Sequence, residues 1–169
     1  TGNKIIGPKH VTGDLTLSNG ATLTITGTIW VSGNISLGNN SHVALDSSYG
    51  SQSGVIVTDG VVTVGNGSFF TGSGVDPASY TMILSDKNAT STNVITVSET
   101  PADHSRDVIY YASQGKILFQ QNARAREVTG YGINLENNAT IYYDSGLANA
   151  NFSSGPGGSF GITSWQETQ

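Results

Sequence analysis

Val11-Thr12-Gly13-Asp14-Leu15-Thr16-Leu17-Ser18-Asn19-Gly20-Ala21-Thr22-Leu23-Thr24-Ile25 is the stretch on which the fold turns. Two short apolar/polar alternations, Leu15 to Leu17 and Leu23 to Ile25, flank a Ser-Asn-Gly turn. Alternation places successive side chains on opposite faces of a strand, and Asn-Gly supplies the left-handed backbone of a tight corner. The phrase recurs as Val31-Ser32-Gly33-Asn34-Ile35-Ser36-Leu37-Gly38-Asn39-Asn40-Ser41-His42-Val43-Ala44-Leu45, with Gly13 and Gly33 set 20 residues apart (33 − 13). A third copy runs from Asp59 to Phe70, a fourth from Gly115 to Ala123 and a fifth from Gly132 to Tyr142, the last two glycines being 17 apart (132 − 115).

A unit of two or three short strands cannot bury its inner side chains alone and must stack on its neighbours. The repeat therefore predicts an all-β fold: a single-stranded, right-handed parallel β-helix, or β-solenoid, with roughly six coils of about 17–22 residues. Leu15, Leu17, Leu23, Ile25, Ile35, Leu37, Val43, Leu45, Val62, Val64, Ile117, Phe119, Ile133, Leu135 and Ile141 are expected to point inward. The Asn-Gly and Asn-Asn pairs at 19–20, 39–40, 66–67 and 137–138 fall at one place in each copy, as stacked corners would, and stacked Asn side chains can form an amide ladder. A β-sandwich whose hairpins use Asn-Gly turns remains the alternative.

The composition agrees. Among 169 residues, 22 are Gly and only 11% are charged, against roughly 25% in ordinary domains, so hydroxyls and amides must coat the surface. The length suits one domain, 1–169. A net charge of −5 without a Lys/Arg cluster argues against nucleic acid as a partner. There is no cysteine, hence neither a disulfide framework nor a thiolate metal site. No stretch has the roughly 20 apolar residues of a membrane span, so export and membrane contact would depend on an N-terminal segment outside this sequence.

Three segments break the rhythm: 49–53, 71–79 and 85–107. The last is mostly polar and is expected to project as a lateral loop. The Gly-rich tail, about 146–169, carries Phe152, Phe160, Ile162 and Trp165 and is expected to fold back as a C-terminal cap over an otherwise open solenoid end.

Val11-Thr12-Gly13-Asp14-Leu15-Thr16-Leu17, Gly27-Thr28-Ile29-Trp30-Val31-Ser32-Gly33-Asn34-Ile35 and Gly146-Leu147-Ala148-Asn149-Ala150-Asn151-Phe152-Ser153-Ser154-Gly155-Pro156-Gly157-Gly158 resemble phrases of β-solenoid surface domains in type IV pilus-associated exported bacterial proteins. The resemblance covers most of the chain. It implies a displayed, extracellular domain at the cell surface and carries no catalytic residues with it.

Candidate chemistry is thin. Asp103, His104, Ser105 and Asp107 hold the residue types of a nucleophilic relay, but neighbours on an extended segment point to opposite sides. Glycan-cleaving enzymes on β-helices cluster carboxylates, whereas here the acids are scattered in phase and only Asp46 and Asp59 approach one another around the Tyr49 segment. His10, His42 and His104 lie too far apart in phase for zinc, and the aspartate-glycine pattern of calcium-binding β-rolls is missing. Six Asn-X-Ser/Thr sequons, most of them arising from composition, matter only in a glycosylating host.

Exposed aromatics are the remaining signal, because a ring stacks on an apolar sugar face at small entropic cost. Tyr49, Tyr110, Tyr111, Tyr142 and Tyr143 lie in or beside the breaks, and each adjacent pair must place one ring outside the core. The sequence thus points to a non-catalytic structural or binding module, with no cofactor and no metal. Its expected partners are other surface or pilus subunits, further copies of itself, and glycan. The alternatives are a glycan-binding adhesin and a polysaccharide-active enzyme on the same scaffold.

Overall fold

A computed structural model describes residues 3–74, 79–101, 107–142 and 150–152. Over these residues the chain is all-β, with a 3₁₀ turn at Ser47–Tyr49. Strands come in sets. The first is β1 (Lys4–Ile6), β2 (Lys9–Val11) and β3 (Leu15–Leu17), and the second is β4 (Thr22–Ile25), β5 (Ile29–Val31) and β6 (Ile35–Leu37). The third is β7 (His42–Leu45), β8 (Gln52–Thr58) and β9 (Val62–Val64), followed by β10 (Phe69–Thr71), β11 (Thr81–Ser85) and β12 (Ala89–Val97). Then come β13 (Val108–Phe119), β14 (Arg124–Ala125), β15 (Glu127–Leu135), β16 (Thr140–Ile141) and β17 (Asn151–Phe152).

Each strand pairs in parallel with its counterpart in the next set. One sheet has the order β1-β4-β7-β10. In a larger sheet, β2-β5-β8-β11 and β3-β6-β9-β12 both run into the long β13, on which β15 is laid. The register carries apolar columns through the stack. Leu15 lies against Ile35, Ile35 against Val62, Val62 against Ile95, Ile95 against Ile117, and Ile117 against Ile133. A second column joins Leu17, Leu37, Val64, Val97, Phe119 and Leu135.

These columns make the core. The strand Ile35-Ser36-Leu37 alternates buried, exposed, buried, and Ile25, Ile29, Val31, Val64, Ile83, Ile95, Val97, Ile117 and Phe119 are fully buried. Each such side chain contributes about 1.5–3 kcal/mol by leaving water. In the middle of the stack the filling is aromatic: Phe70 and Tyr110 meet edge to face at 6.2 Å, and Tyr110 and Phe119 at 5.6 Å.

The corners are held by Asx side chains. Gly20, Asn40, Gly67, Asn122 and Asn138 all have φ between 55° and 73°. Gly20 N–H donates to Asn39 O (2.9 Å), Asn40 N–H to Asn66 O (2.8 Å) and Asn122 N–H to Asn137 O (3.0 Å). The Asn39 N–H donates to Asn19 Oδ1 at 2.9 Å and the Asn66 N–H to Asn39 Oδ1 at 3.0 Å. At the neighbouring corner Asn34 N–H donates to Asp14 Oδ1 (2.7 Å) and Val61 N–H to Asn34 Oδ1 (3.0 Å). Carboxamide and carboxylate oxygens thus meet backbone donors that no strand partner satisfies. This close stacking needs glycine: a Cβ on Gly60 would stand 2.5 Å from Gly33 O and 2.6 Å from Asn34 Oδ1. Buried hydroxyls finish the turn, with Ser85 donating to Gly60 O (2.7 Å) and Ser68 to Gly38 O (2.7 Å).

Two expectations are corrected. The 85–107 segment is not wholly a lateral loop, because β12 within it pairs on one side with β9 and on the other with β13, and Val94, Ile95 and Val97 are fully buried. Its polar first half, Ala89 to Asn93, hides a strand whose apolar half does the packing. Ile133 and Leu135 sit in the inward columns yet remain 45% and 47% exposed, since among the described residues nothing pairs with the outer edge of β15. Ile141 is half-buried. Of the expected cap, 146–169, only 150–152 are described, and there β17 pairs in parallel with Gln52 and Ser53 of β8.

Candidate functional site

The sheet β2-β5-β8-β11-β13 buries alternate residues on one side and presents the others on its opposite side. Ile29 and Val31 are buried and Trp30 is exposed; Ile56 and Thr58 are buried and Val57 is half-exposed. The same holds for Leu84 between Ile83 and Ser85, and for Tyr111 between Tyr110 and Ala112. Register places the outward residues in one line: His10 against Trp30, Trp30 against Val57, Val57 against Leu84, and Leu84 against Tyr111. Adjacent strands lie about 4.8 Å apart, so this is a narrow apolar track running across the strands. The same outward side carries Val55, Met82 and Ile109 in register two residues earlier, so the track is one of two apolar lines on this face, a feature that calls for a partner.

Its first ring is fixed. Trp30 is 50% exposed, yet its Nε1–H donates to Asp59 Oδ1 at 3.0 Å. The indole also stacks on His10, with centroids 4.7 Å apart and planes inclined by 27°, and His10 Nε2 lies 2.8 Å from Ser32 Oγ. Lys9, His10, Thr28, Trp30 and Val57 line a recess of about 380 Å³ beside it. A row of exposed polar residues, Ser32, Asp59 and Asp86, follows the strand ends next to the track.

The residues expected from the sequence divide. Tyr111 stands on the track. Tyr110 is in the core, where burial pushes its hydroxyl well above the ordinary phenol range. Tyr49 is buried against the core at the end of the 3₁₀ turn. Both rings are buried, Tyr110 because it takes an inner position of β13 and Tyr49 because its ring packs over Gly54 at the start of β8. Tyr142 is 40% exposed at the end of β16, away from the track's strands, and Tyr143 lies outside the described residues. The sequence offers His10 only as a weighed zinc ligand and Asp59 only as a weighed catalytic acid, and Trp30 as no site residue at all. The alternation Ile29-Trp30-Val31 was the signal that could have found the ring.

The candidate acids have local structural roles. Asp46 accepts from Ser48 N–H at 3.0 Å, and the Ser48 hydroxyl and N–H hold its carboxyl below the usual range. Asp59 accepts from Trp30, and Asp107 accepts from Gly72 N–H at 3.0 Å. Asp103, His104 and Ser105 lie outside the described residues. His42 stacks on Phe69 at 4.2 Å and lies 2.8 Å from Thr71 Oγ1, on a different sheet from His10. Among the described residues no three His, Asp or Glu side chains converge as metal ligands.

Set against protein-family models, curated proteins and solved structures, the chain matches none of them. The functional reading therefore rests on the geometry of this face and its scaffold.

Proposed function

We propose that the chain is a single β-solenoid domain, each set of strands being one coil wound in the right-handed sense favoured for parallel crossovers. It serves as an extracellular structural and binding module of a cell-surface or type IV pilus-associated appendage, working by contact and without turnover. The observation that carries this is the outward line Trp30–Val57–Leu84–Tyr111, set in register on a parallel stack. A stack of this kind holds such a line straight and stiff, which is what a displayed contact surface requires. The resemblance of its repeated phrases to those of pilus-associated surface domains is what suggests the location.

Two measurements test the reading together. Immunogold labelling of intact cells of the native host should decorate the surface or its appendages, while purified protein incubated with pectin, alginate, hyaluronan and peptidoglycan should release no reducing or unsaturated ends. Label confined to the cell interior would contradict the location. Product release that disappears with Asp46→Ala or Asp107→Ala would replace the contact module with an enzyme.

A further inference from the structure

The two ends of the stack are unlike. At the first end β1 and β2 each open on a lysine, Lys4 and Lys9, with Pro8 between them, and lysine and proline are residues that keep a sheet edge from pairing. At the last end residues 128–135 carry no charge and no proline. There Tyr131, Ile133 and Leu135 are 64%, 45% and 47% exposed, and Ile133 and Leu135 are the final members of the inward columns. By Asn151 the chain lies against Gln52 of β8, in the third set, so β17 does not close this end. We propose that the last end pairs with its own copy: residues 133–135 of β15 meet the same residues of a second chain in antiparallel register, about a two-fold axis at Asn134.

Backbone direction selects this register. Between sets, Leu15 N–H donates to Asn34 O and Ile35 N–H to Val61 O, while Leu17, Leu37, Val64, Val97 and Phe119 O accept from the following set at 2.8 to 3.0 Å. Ile133 and Leu135 continue those two columns, so Ile133 N–H and Leu135 C=O turn to the open side. Paired about Asn134, Ile133 of one chain and Leu135 of the other exchange N–H···O bonds, and their inward side chains continue the core of both stacks. A slip of one residue would set these side chains against outward ones. The paired stretch carries no charge, so identical surfaces meet without repulsion, and a two-fold contact closes at two chains. Stacking a first end on a last end is less favourable. Lys4 and Lys9 are register partners of the buried Leu23 and Ile29, and a coil laid over them would bury two ammonium groups. The contact lies at the end of the stack and does not rest on the role of the Trp30 line.

The chain has no cysteine, so a single introduced cysteine reports the contact. On mild oxidation of the full chain, Asn134→Cys should form a disulfide-linked dimer nearly completely, because residues at such a non-hydrogen-bonded position stand about 4.5 Å apart, within disulfide reach. Thr16→Cys, an exposed position at the first end, should stay monomeric. In sedimentation the unaltered chain should run as a concentration-dependent dimer. Leu135→Lys should weaken association at least tenfold with circular dichroism unchanged, since it guards this edge as Lys4 and Lys9 guard the other. Asn134 is exposed and points outward, so the cysteine measurement decides the matter even if Leu135→Lys fails to fold. A monomer at near-millimolar concentration, assemblies larger than a dimer, disulfides joining Thr16→Cys chains to Asn134→Cys chains, or association indifferent to a folded Leu135→Lys would overturn the proposal. Any of these would leave the contact reading of the outward face standing, because Trp30, Val57, Leu84 and Tyr111 lie on other strands.

Discussion

Between Thr22 and Thr71 the strands facing solvent and core are mostly three or four residues long, and the corners after β6 and β9 turn on Asn40 and Gly67 with left-handed backbone. Between Thr81 and Phe119 the strands lengthen, β12 to nine residues and β13 to twelve, and their pairing slips between Ala89 and Asn93 and again between Asn93 and Ile95. The corner there is Glu99-Thr100-Pro101, where the Thr100 N–H reaches Asn122 O at only 3.5 Å. Yet Val64, Val97 and Phe119 stay in register across the boundary. The two regions differ in phrase and agree in column. Filling the inner column is what the stack demands; the Asx corner is one way of meeting it.

The largest effects should therefore be shared by both regions. Ile35→Asp and Ile95→Asp each put an unpaired charge in a fully apolar column and should cost more than about 4 kcal/mol, enough to unfold the domain. Thermal melts followed by circular dichroism decide this, and a native-like Ile95→Asp would return 89–97 to the status of a loop. Phe119→Ala should cost about 3–5 kcal/mol, because the hole it leaves lies beneath Tyr110. Denaturant unfolding measures that directly.

Corner substitutions should separate the regions. Asn39→Ala removes the acceptor for the Asn66 N–H and should cost about 1 kcal/mol. Glu99→Ala at the equivalent place in the other region loses only a long bond from Asn122 Nδ2 (3.3 Å) and should change stability by less than about 0.5 kcal/mol. Equal losses in urea melts would show that both corners work alike. The smallest effect belongs to Tyr110→Phe, whose buried hydroxyl has no hydrogen-bond partner among the described residues; removing it should leave stability unchanged or slightly raised.

Much of the stack was legible because each copy repeats its inner residues at one phase. Leu15, Ile35, Val62, Ile117 and Ile133 were aligned from the phrase alone, and the register links them through one further member, Ile95. Ile95 escaped because the sequence before it, Ala89-Thr90-Ser91-Thr92-Asn93, has no Gly-Asn opening and is polar enough to read as a loop. The exposure of Ile133 and Leu135 follows from the last strand's position on the stack, which no local pattern records. For the site, the pairing Tyr110-Tyr111 announced that one ring must face outward, and the alternation decides which. The hydrogen bond from Trp30 to Asp59 was not legible: it joins residues 29 apart, and the length of the intervening excursion at 46–54 sets that distance.

The order of the stack, with β12 laid between β9 and β13, positions every other feature of the fold. The chain has no cysteine, so paired cysteines report neighbours without background. Thr63 and Thr96 are register partners on adjacent strands, whereas Ser36 and Thr96 are separated by β9. Parallel neighbours stand about 4.8 Å apart, within disulfide reach, and strands two apart exceed it. On mild oxidation, Thr63→Cys with Thr96→Cys should cross-link nearly completely, as read by mass spectrometry after proteolysis, and Ser36→Cys with Thr96→Cys should not. Cross-linking of the second pair in place of the first would contradict the stack described here.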